Sequence, residues 1–203
     1  MNANEVLKHV DHTLLTQTAT WKEIKAICDD AVKYGTASAC IPPSYVAQAK
    51  EYVGEKLAIC TVIGFPNGYM TTATKEFETK DAIANGADEI DMMANIPSIK
   101  ERDFEYVKND IRAVKDAIGD HILKVIIENP LLNEDEMAGA SRMCEEGGAD
   151  FVKTSSGFNG KQHFHSLMES LRIMKKNAPH LDMKAAGGID NYKLANNVLA
   201  AGV

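Results

Sequence analysis

The chain has no surplus of positive charge. Lys and Arg total 22 against 29 Asp and Glu, a formal net charge of −7. That balance argues against nucleic acid or an anionic membrane as the main partner. No apolar run is long enough to span a bilayer. MNANEVLKHV lacks the apolar core of a secretory signal, so a cytoplasmic location is expected. GxGxxG and GxxxxGK[ST] are both absent, which removes the commonest Gly-rich nucleotide cradles. Cysteine is sparse, and Cys28, Cys40, Cys60 and Cys144 form neither a CxxC pair nor a Cys/His group with zinc spacing. They read as buried thiols of a reducing compartment. His12, His121, His163, His165 and His180 show no ligand spacing either, so no metal is expected. No proline-rich linker or low-complexity tract divides the 203 residues, so residues 1–203 read as one domain.

What is present is alternation. Short apolar runs at His9–Leu14, Ser38–Ile41, Ala58–Ile63, Glu89–Met93, Leu123–Ile127, Asp150–Lys153 and Leu181–Ala185 read as strands. Helical patterns lie between them. Thr20 and Glu23 have capping-box spacing ahead of IKAICDDAVKYG, and Asn133 opens a second helix. SIKERDFEYVKNDIRAVKDAIG reads as one long amphipathic helix closing at Gly119. Strand–helix alternation predicts a parallel sheet.

A weak internal repeat favours a barrel over a doubly wound sheet. Gly35 to Cys40, Gly86 to Asp91 and Gly148 to Lys153 share one plan. Each begins at a helix-ending glycine, enters a strand, and puts a chemically capable residue near the strand's C-terminal end. Such placement suits a TIM-type (β/α)8 barrel, whose sites form at that face from several strands. Only seven strands are legible. NYKLANNVLAAG runs to Gly202 as a helix with no strand after it, so the eighth strand and helix are expected to be missing.

The candidate chemistry lies at these strand ends. Lys153, in FVKTSSGF, follows a buried pair and precedes a polar turn; a surface lysine snorkelling from a strand end is the plain alternative. Lys184, in LDMKAAGG, repeats the form on the next strand. Two ammonium groups facing each other in a barrel mouth repel. Lowering a lysine pKa from ~10.4 to ~7 takes about 4.6 kcal/mol. A second cation at ~4 Å supplies about 4 kcal/mol at an effective dielectric of ~20, so a neutral, nucleophilic amine is within reach. Alternation in EIDMM turns Asp91 inward to the lysines, either as a structural ion pair or as a proton shuttle. Asp11, in VDHTLL, could serve likewise. Lys124 and Glu128 read as a structural charge pair. Gly187 and Gly188, with Thr154 to Gly157, offer backbone N–H groups to an anion. Asp190 is a candidate helix N-cap.

Together VDHTLL, TVIGFPNG, TKEFETKDAIANGADEIDMM, LKVIIE, FVKTSSGF and MKAAGGI resemble the 2-deoxyribose-5-phosphate aldolase family of class I aldolases. The matching stretches run in the family's order from residue 10 to 189. The resemblance implies a TIM barrel with Lys153 as the Schiff-base lysine, Lys184 as the second lysine that lowers its pKa, and Asp91 in the proton relay. It implies a phosphate site at Gly187, Gly188 and Gly157, with Thr154 and Asp11 among the substrate-binding residues. The implied reaction is reversible cleavage of 2-deoxy-D-ribose 5-phosphate to D-glyceraldehyde 3-phosphate and acetaldehyde, within deoxyribonucleotide catabolism. No cofactor is called for, because the iminium is the electron sink. The alternatives are another lysine-dependent phosphate-sugar barrel enzyme, or a barrel remnant that only binds small molecules. The family also continues into a strand ending in a Gly-Thr-Ser-like turn, to which nothing here corresponds. A chain truncated at its C-terminus is therefore expected to have an incomplete phosphate clamp and an open edge that favours association, as a homodimer in the smallest case.

Overall fold

The computed structural model describes residues 1–160 and 163–203. Seven parallel strands pair in simple sequence order: β1 (Asp11–Thr13), β2 (Ser38–Ile41), β3 (Ala58–Ile63), β4 (Glu89–Met93), β5 (Ile122–Ile126), β6 (Phe151–Lys153) and β7 (Asp182–Lys184). This is the strand order of a (β/α)8-type barrel without its eighth strand–helix unit among the described residues. Each strand sits where the apolar runs predict it, although the edge strands β1 and β7 are shorter than their apolar runs.

Helices α1 (Ala3–Leu7), α2 (Trp21–Tyr34), α3 (Val46–Val53), α4 (Thr72–Ala84), α5 (Ile96–Lys100), α6 (Phe104–Ile118), α7 (Glu134–Gly147), α8 (Phe164–Asn177) and α9 (Tyr192–Ala200) complete the order. Both proposed helix starts hold. Thr20 and Glu23 form a capping box at α2, and Asn133 and Glu136 form another at α7. Gly35 ends α2 at φ 65°, in the left-handed region that favours glycine. The long helix expected up to Gly119 is instead two helices. Arg102 turns left-handed at φ 60°, and the Asp103 side chain accepts from Tyr106 N to start α6 afresh. A capping aspartate outcompetes continued periodicity at that point.

The internal repeat has a structural half. Asp88 and Asp150, each two residues after a repeat glycine, play the same part. Asp88 accepts from Ile59 N and pairs with Lys50; Asp150 accepts from Leu123 N and pairs with Lys115. Each thus ties the start of its own strand unit to the strand before it.

Alternation along the strands separates two layers. Ala39, Ile41, Ile59, Ile63, Ile90, Met92, Leu123, Val125, Val152 and Met183 belong to the large apolar cluster shared with the helices. The opposite faces carry Asp11, Ser38, Cys40, Cys60, Glu89, Asp91, Lys124, Lys153 and Lys184. The inside of the curved sheet is therefore lined by polar groups and thiols. Cys40, Cys60 and Val62 form a separate small cluster there. Among the described residues, no helix is long and apolar enough to cross a membrane.

Candidate active site

β4 delivers Asp91, β5 delivers Lys124 and β6 delivers Lys153 to one buried cluster. Lys153 Nζ donates to Asp91 Oδ2 at 2.5 Å, and Lys124 Nζ donates to Asp91 Oδ1 at 3.2 Å. Asp91 is fully buried, and the Lys153 side chain is 7% exposed. Lys124 also pairs with Glu89 at 2.5 Å and with Asp11 at 3.4 Å. Asp11 in turn accepts from Ser38 Oγ at 2.9 Å and pairs with Lys184 at 2.8 Å. Three ammonium groups thus interleave with three carboxylates across β1, β4, β5, β6 and β7. Buried charges of this kind persist only when paired.

The predicted partners therefore meet, but the predicted electrostatics do not follow. Lys153 and Lys184 are register partners on β6 and β7. Lys184 nevertheless turns to the other side, toward Asp11 and the carbonyl oxygen of His9. The expectation that Lys184 depresses the Lys153 amine is corrected. Burial pulls that amine down, but the touching Asp91 carboxylate outweighs burial and holds it above its ordinary value. Lys124 is likewise raised against burial by Asp91 and its other acidic neighbours. Burial would lift the Asp91 carboxyl, yet Lys153 and Lys124 hold it well below the usual carboxylate range. Asp11 is lowered in the same way by Lys184 and Lys124. Glu89 alone goes up, because burial exceeds what Lys124 gives back.

Lys124 and Glu128 do not form the expected pair. Lys124 belongs to the cluster. Glu128 lies beyond the end of β5 at φ 53°, and its carboxylate accepts from Ser156 N at 3.1 Å and from the Ser156 hydroxyl. It fixes the turn after Lys153. No sequence signal separates the two roles, since residues four apart share a strand face only while the strand continues.

The loop after β6 is locked to the loop after β7. Thr154 Oγ1 accepts from Ala186 N at 2.8 Å, and Ser155 Oγ donates to Ala186 O at 2.8 Å. Thr154 is fully buried, and its hydroxyl also donates to Ala186 O. It braces the turn. Asp11 places its carboxylate inside the charge cluster, between Lys124 and Lys184. Gly157, Gly187 and Gly188 have φ of 83°, 87° and 90°. A Cβ on Gly187 would lie 2.5 Å from Ser155 Oγ, so only glycine allows that close approach. Asn191, not Asp190, caps α9, by accepting from Leu194 N at 3.0 Å. Phe65 and Phe158, edge to face at 5.1 Å, add apolar surface from the loops that follow β3 and β6.

The spacing rule for metals missed one group. Cys40, Cys60 and Asp91 bring one donor atom each within 4.8 Å of one another, and all three are buried. Cys40 and Cys60 are register partners on β2 and β3. The repeat that set Cys40 in line with Asp91 and Lys153 was the available signal.

In chemical terms the site offers a buried amine, a proton acceptor in contact with it, and further cations that keep the acceptor ionised. That equipment suits attack on a carbonyl.

The profile described as DeoC/LacD family aldolase matches residues 5–202. A deoxyribose-phosphate aldolase of Streptococcus pyogenes is 52% identical over 203 residues, all of this chain and 90% of that protein. One from Streptococcus agalactiae has the same identity and coverage. A solved structure from Coccidioides immitis superposes with a TM-score of 0.93 at 36% identity, covering 100% of this chain and 81% of that one. A tetrameric deoxyribose phosphate aldolase from Aeropyrum pernix gives 0.87 at 25% identity, covering 98% and 85%. The polar strand-end cluster and the match across nearly the whole sequence lead to one conclusion: the chain belongs to the DeoC/LacD aldolase family.

Proposed function

We propose that this chain is a deoxyribose-phosphate aldolase, a carbon–carbon lyase acting through a Schiff base on Lys153. The observation that carries the reading is the 2.5 Å contact between Lys153 Nζ and the buried Asp91, in a chain 52% identical to curated deoxyribose-phosphate aldolases.

The chemistry follows from the contact. Lys153 rests as an ammonium, so it must first lose a proton, and Asp91 is the acceptor already in place. Lys124 stays on the other Asp91 oxygen. The free amine attacks C1 of the open-chain sugar to give a carbinolamine. Asp91 returns the proton to the departing hydroxyl, and an iminium remains. Asp91, ionised again, takes the C3 hydroxyl proton, and the C2–C3 bond breaks. Its electrons move onto the iminium nitrogen to give an enamine, and D-glyceraldehyde 3-phosphate leaves. Protonation at C2 and hydrolysis release acetaldehyde. Synthesis runs the same steps backwards.

Lys184 keeps Asp11 paired and so leaves more of Lys124 for Asp91. Gly157, Gly187 and Gly188 present backbone N–H groups to the substrate phosphate at the braced turn. Four free thiols suit a reducing compartment, and the cytoplasm is the proposed location. Residues 1–203 act in this reading as one domain, and a homodimer is the smallest assembly it expects.

The test is release of acetaldehyde and D-glyceraldehyde 3-phosphate from 2-deoxy-D-ribose 5-phosphate, with unphosphorylated deoxyribose alongside. The phosphorylated sugar should turn over faster. Equal rates would remove the phosphate site, and no turnover of either by folded protein would remove the reading.

A further inference from the structure

We propose that Cys40, Cys60 and Asp91 form a binding site for a thiophilic divalent cation of the zinc or cadmium class, inside the curved sheet. β2 and β3 hold the two cysteines side by side in register, and β4 brings Asp91 against Cys60. Cys60 Sγ lies 3.3 Å from Asp91 Oδ1. The three donors lie within 4.8 Å of one another and are fully enclosed. A tetrahedral ion with metal–sulfur bonds of about 2.3 Å sets its donors roughly 3.7 Å apart. Donors within 4.8 Å need to close by about 1 Å at most to reach that spacing. Two sulfurs and one carboxylate oxygen select soft d10 ions over magnesium or calcium, which take oxygen ligands.

Charge is the second argument. The cluster holds Lys124, Lys153 and Lys184 against Asp11, Glu89 and Asp91, so it is balanced. A bare cation added there would upset that balance in a buried setting. Two thiols that lose their protons to solvent as the ion enters compensate it fully. The exchange is one divalent ion in and two protons out. Lys124 Nζ, 3.5 Å from Cys60 Sγ, favours the thiolate that forms. The hydrogen bond with Cys40, and then burial, oppose it by pushing the Cys60 thiol up.

The consequence for the proposed reaction is inhibition. Asp91 Oδ1 cannot ligate an ion and remain free for proton transfer with its partner oxygen. The binding claim itself does not rest on the aldolase reading.

Cadmium chloride titrated into the protein, with the ultraviolet thiolate-to-cadmium charge-transfer band followed, tests it. One ion per chain is expected. Cys40→Ala and Cys60→Ala should each lose the band and at least about tenfold in affinity, the least that even an outer-shell ligand change costs. Cys28→Ala and Cys144→Ala should keep both. In the unsubstituted protein, cadmium should protect Cys40 and Cys60 from alkylation, mapped by mass spectrometry, which covers the case of a variant that fails to fold. No band in the unsubstituted protein, or protection of Cys28 or Cys144 instead, overturns the site. Full turnover with the site saturated overturns the inhibition while leaving the binding result intact.

Discussion

Lys75 and Lys153 are both buried, and both touch a carboxylate. Lys75, on α4, reaches Asp110 on α6 at 2.6 Å with neither side chain exposed beyond 1%. Its stem lies over Gly64, where a Cβ would come within 2.9 Å of Lys75 Cε. Lys153 reaches Asp91 at 2.5 Å inside the sheet. Yet burial pulls the Lys75 amine below its ordinary value despite Asp110, while Lys153 stays above it. A search for a depressed lysine would nominate Lys75 and pass over Lys153. Asp110 has Lys75 as its ammonium partner and a hydroxyl from Thr72 as its second donor. Asp91 has two ammonium partners. When Lys153 gives up its proton, Lys124 still neutralises the neighbourhood. When Lys75 does so, Asp110 is stranded. In the proposed reading, position at a strand's C-terminal end and a doubly supported acceptor mark Lys153, not its resting pKa.

Breaking the Lys153 side of the comparison has the largest expected effect. Lys153→Ala should lower turnover at least about 10⁴-fold, as removal of a covalent nucleophile does, with the fold intact by circular dichroism. Asp91→Asn should lower kcat by about 10²–10⁴-fold, the range for a positioned proton-transfer group. Steady-state kinetics should show kcat falling more than KM rises. If both variants kept full rates, the two buried lysines would be equivalent and the contrast would collapse.

The Lys75 side should respond in stability instead. Lys75→Met strands a buried Asp110 and should cost about 3–5 kcal/mol, while the double variant Lys75→Met/Asp110→Leu should recover most of that. Urea unfolding measures both, and turnover per folded molecule should not change. Gly187→Ala sharpens the picture at the phosphate turn. The clash with Ser155 and the left-handed backbone should cost roughly 1–3 kcal/mol. KM for the phosphorylated sugar should rise while the rate with unphosphorylated deoxyribose holds.

The smallest effects are in pH. Asp91 and Asp11 titrate below their ordinary 3.8 in the folded chain. The stability they contribute is present above that value and is lost as pH falls through their folded values. Lys153 and Lys124 titrate above 10.5 when folded, so their share is complete below that pH and is lost only as pH rises through the folded values. Lys75 has the opposite sign. Its folded value lies below 10.5, so the unfolded chain holds the proton more tightly, and stability should rise as pH climbs toward 10.5. Tm against pH, measured beside the Lys75→Met/Asp110→Leu variant, should show the native chain gaining ground in that window.

Much of this was readable from the residues. All seven strands follow from short apolar runs, their parallel pairing from strand–helix alternation, and the inward turn of Asp91 from period-two alternation. The capping boxes at Thr20 and Asn133 follow from local chemistry. What was not readable depends on the third dimension. Arg102 and Asp103 break a helix whose periodicity continues past them. Glu128 leaves the strand direction at a single left-handed residue. Thr154 braces Ala186 from 32 positions away, which only the pairing of β6 with β7 brings about. The Lys153 shift turned on whether Asp91 or Lys184 comes closer, and strand spacing alone cannot rank them. Cys40 and Cys60 lie twenty positions apart and meet only because β2 and β3 pair in that register.

Borohydride trapping tests the central claim most directly. The protein is incubated with acetaldehyde, reduced, digested and mapped by mass spectrometry. An ethyl group on Lys153, with Lys75, Lys124 and Lys184 unmodified, is the predicted result. An adduct on another of these lysines, or none in folded protein, would contradict the account.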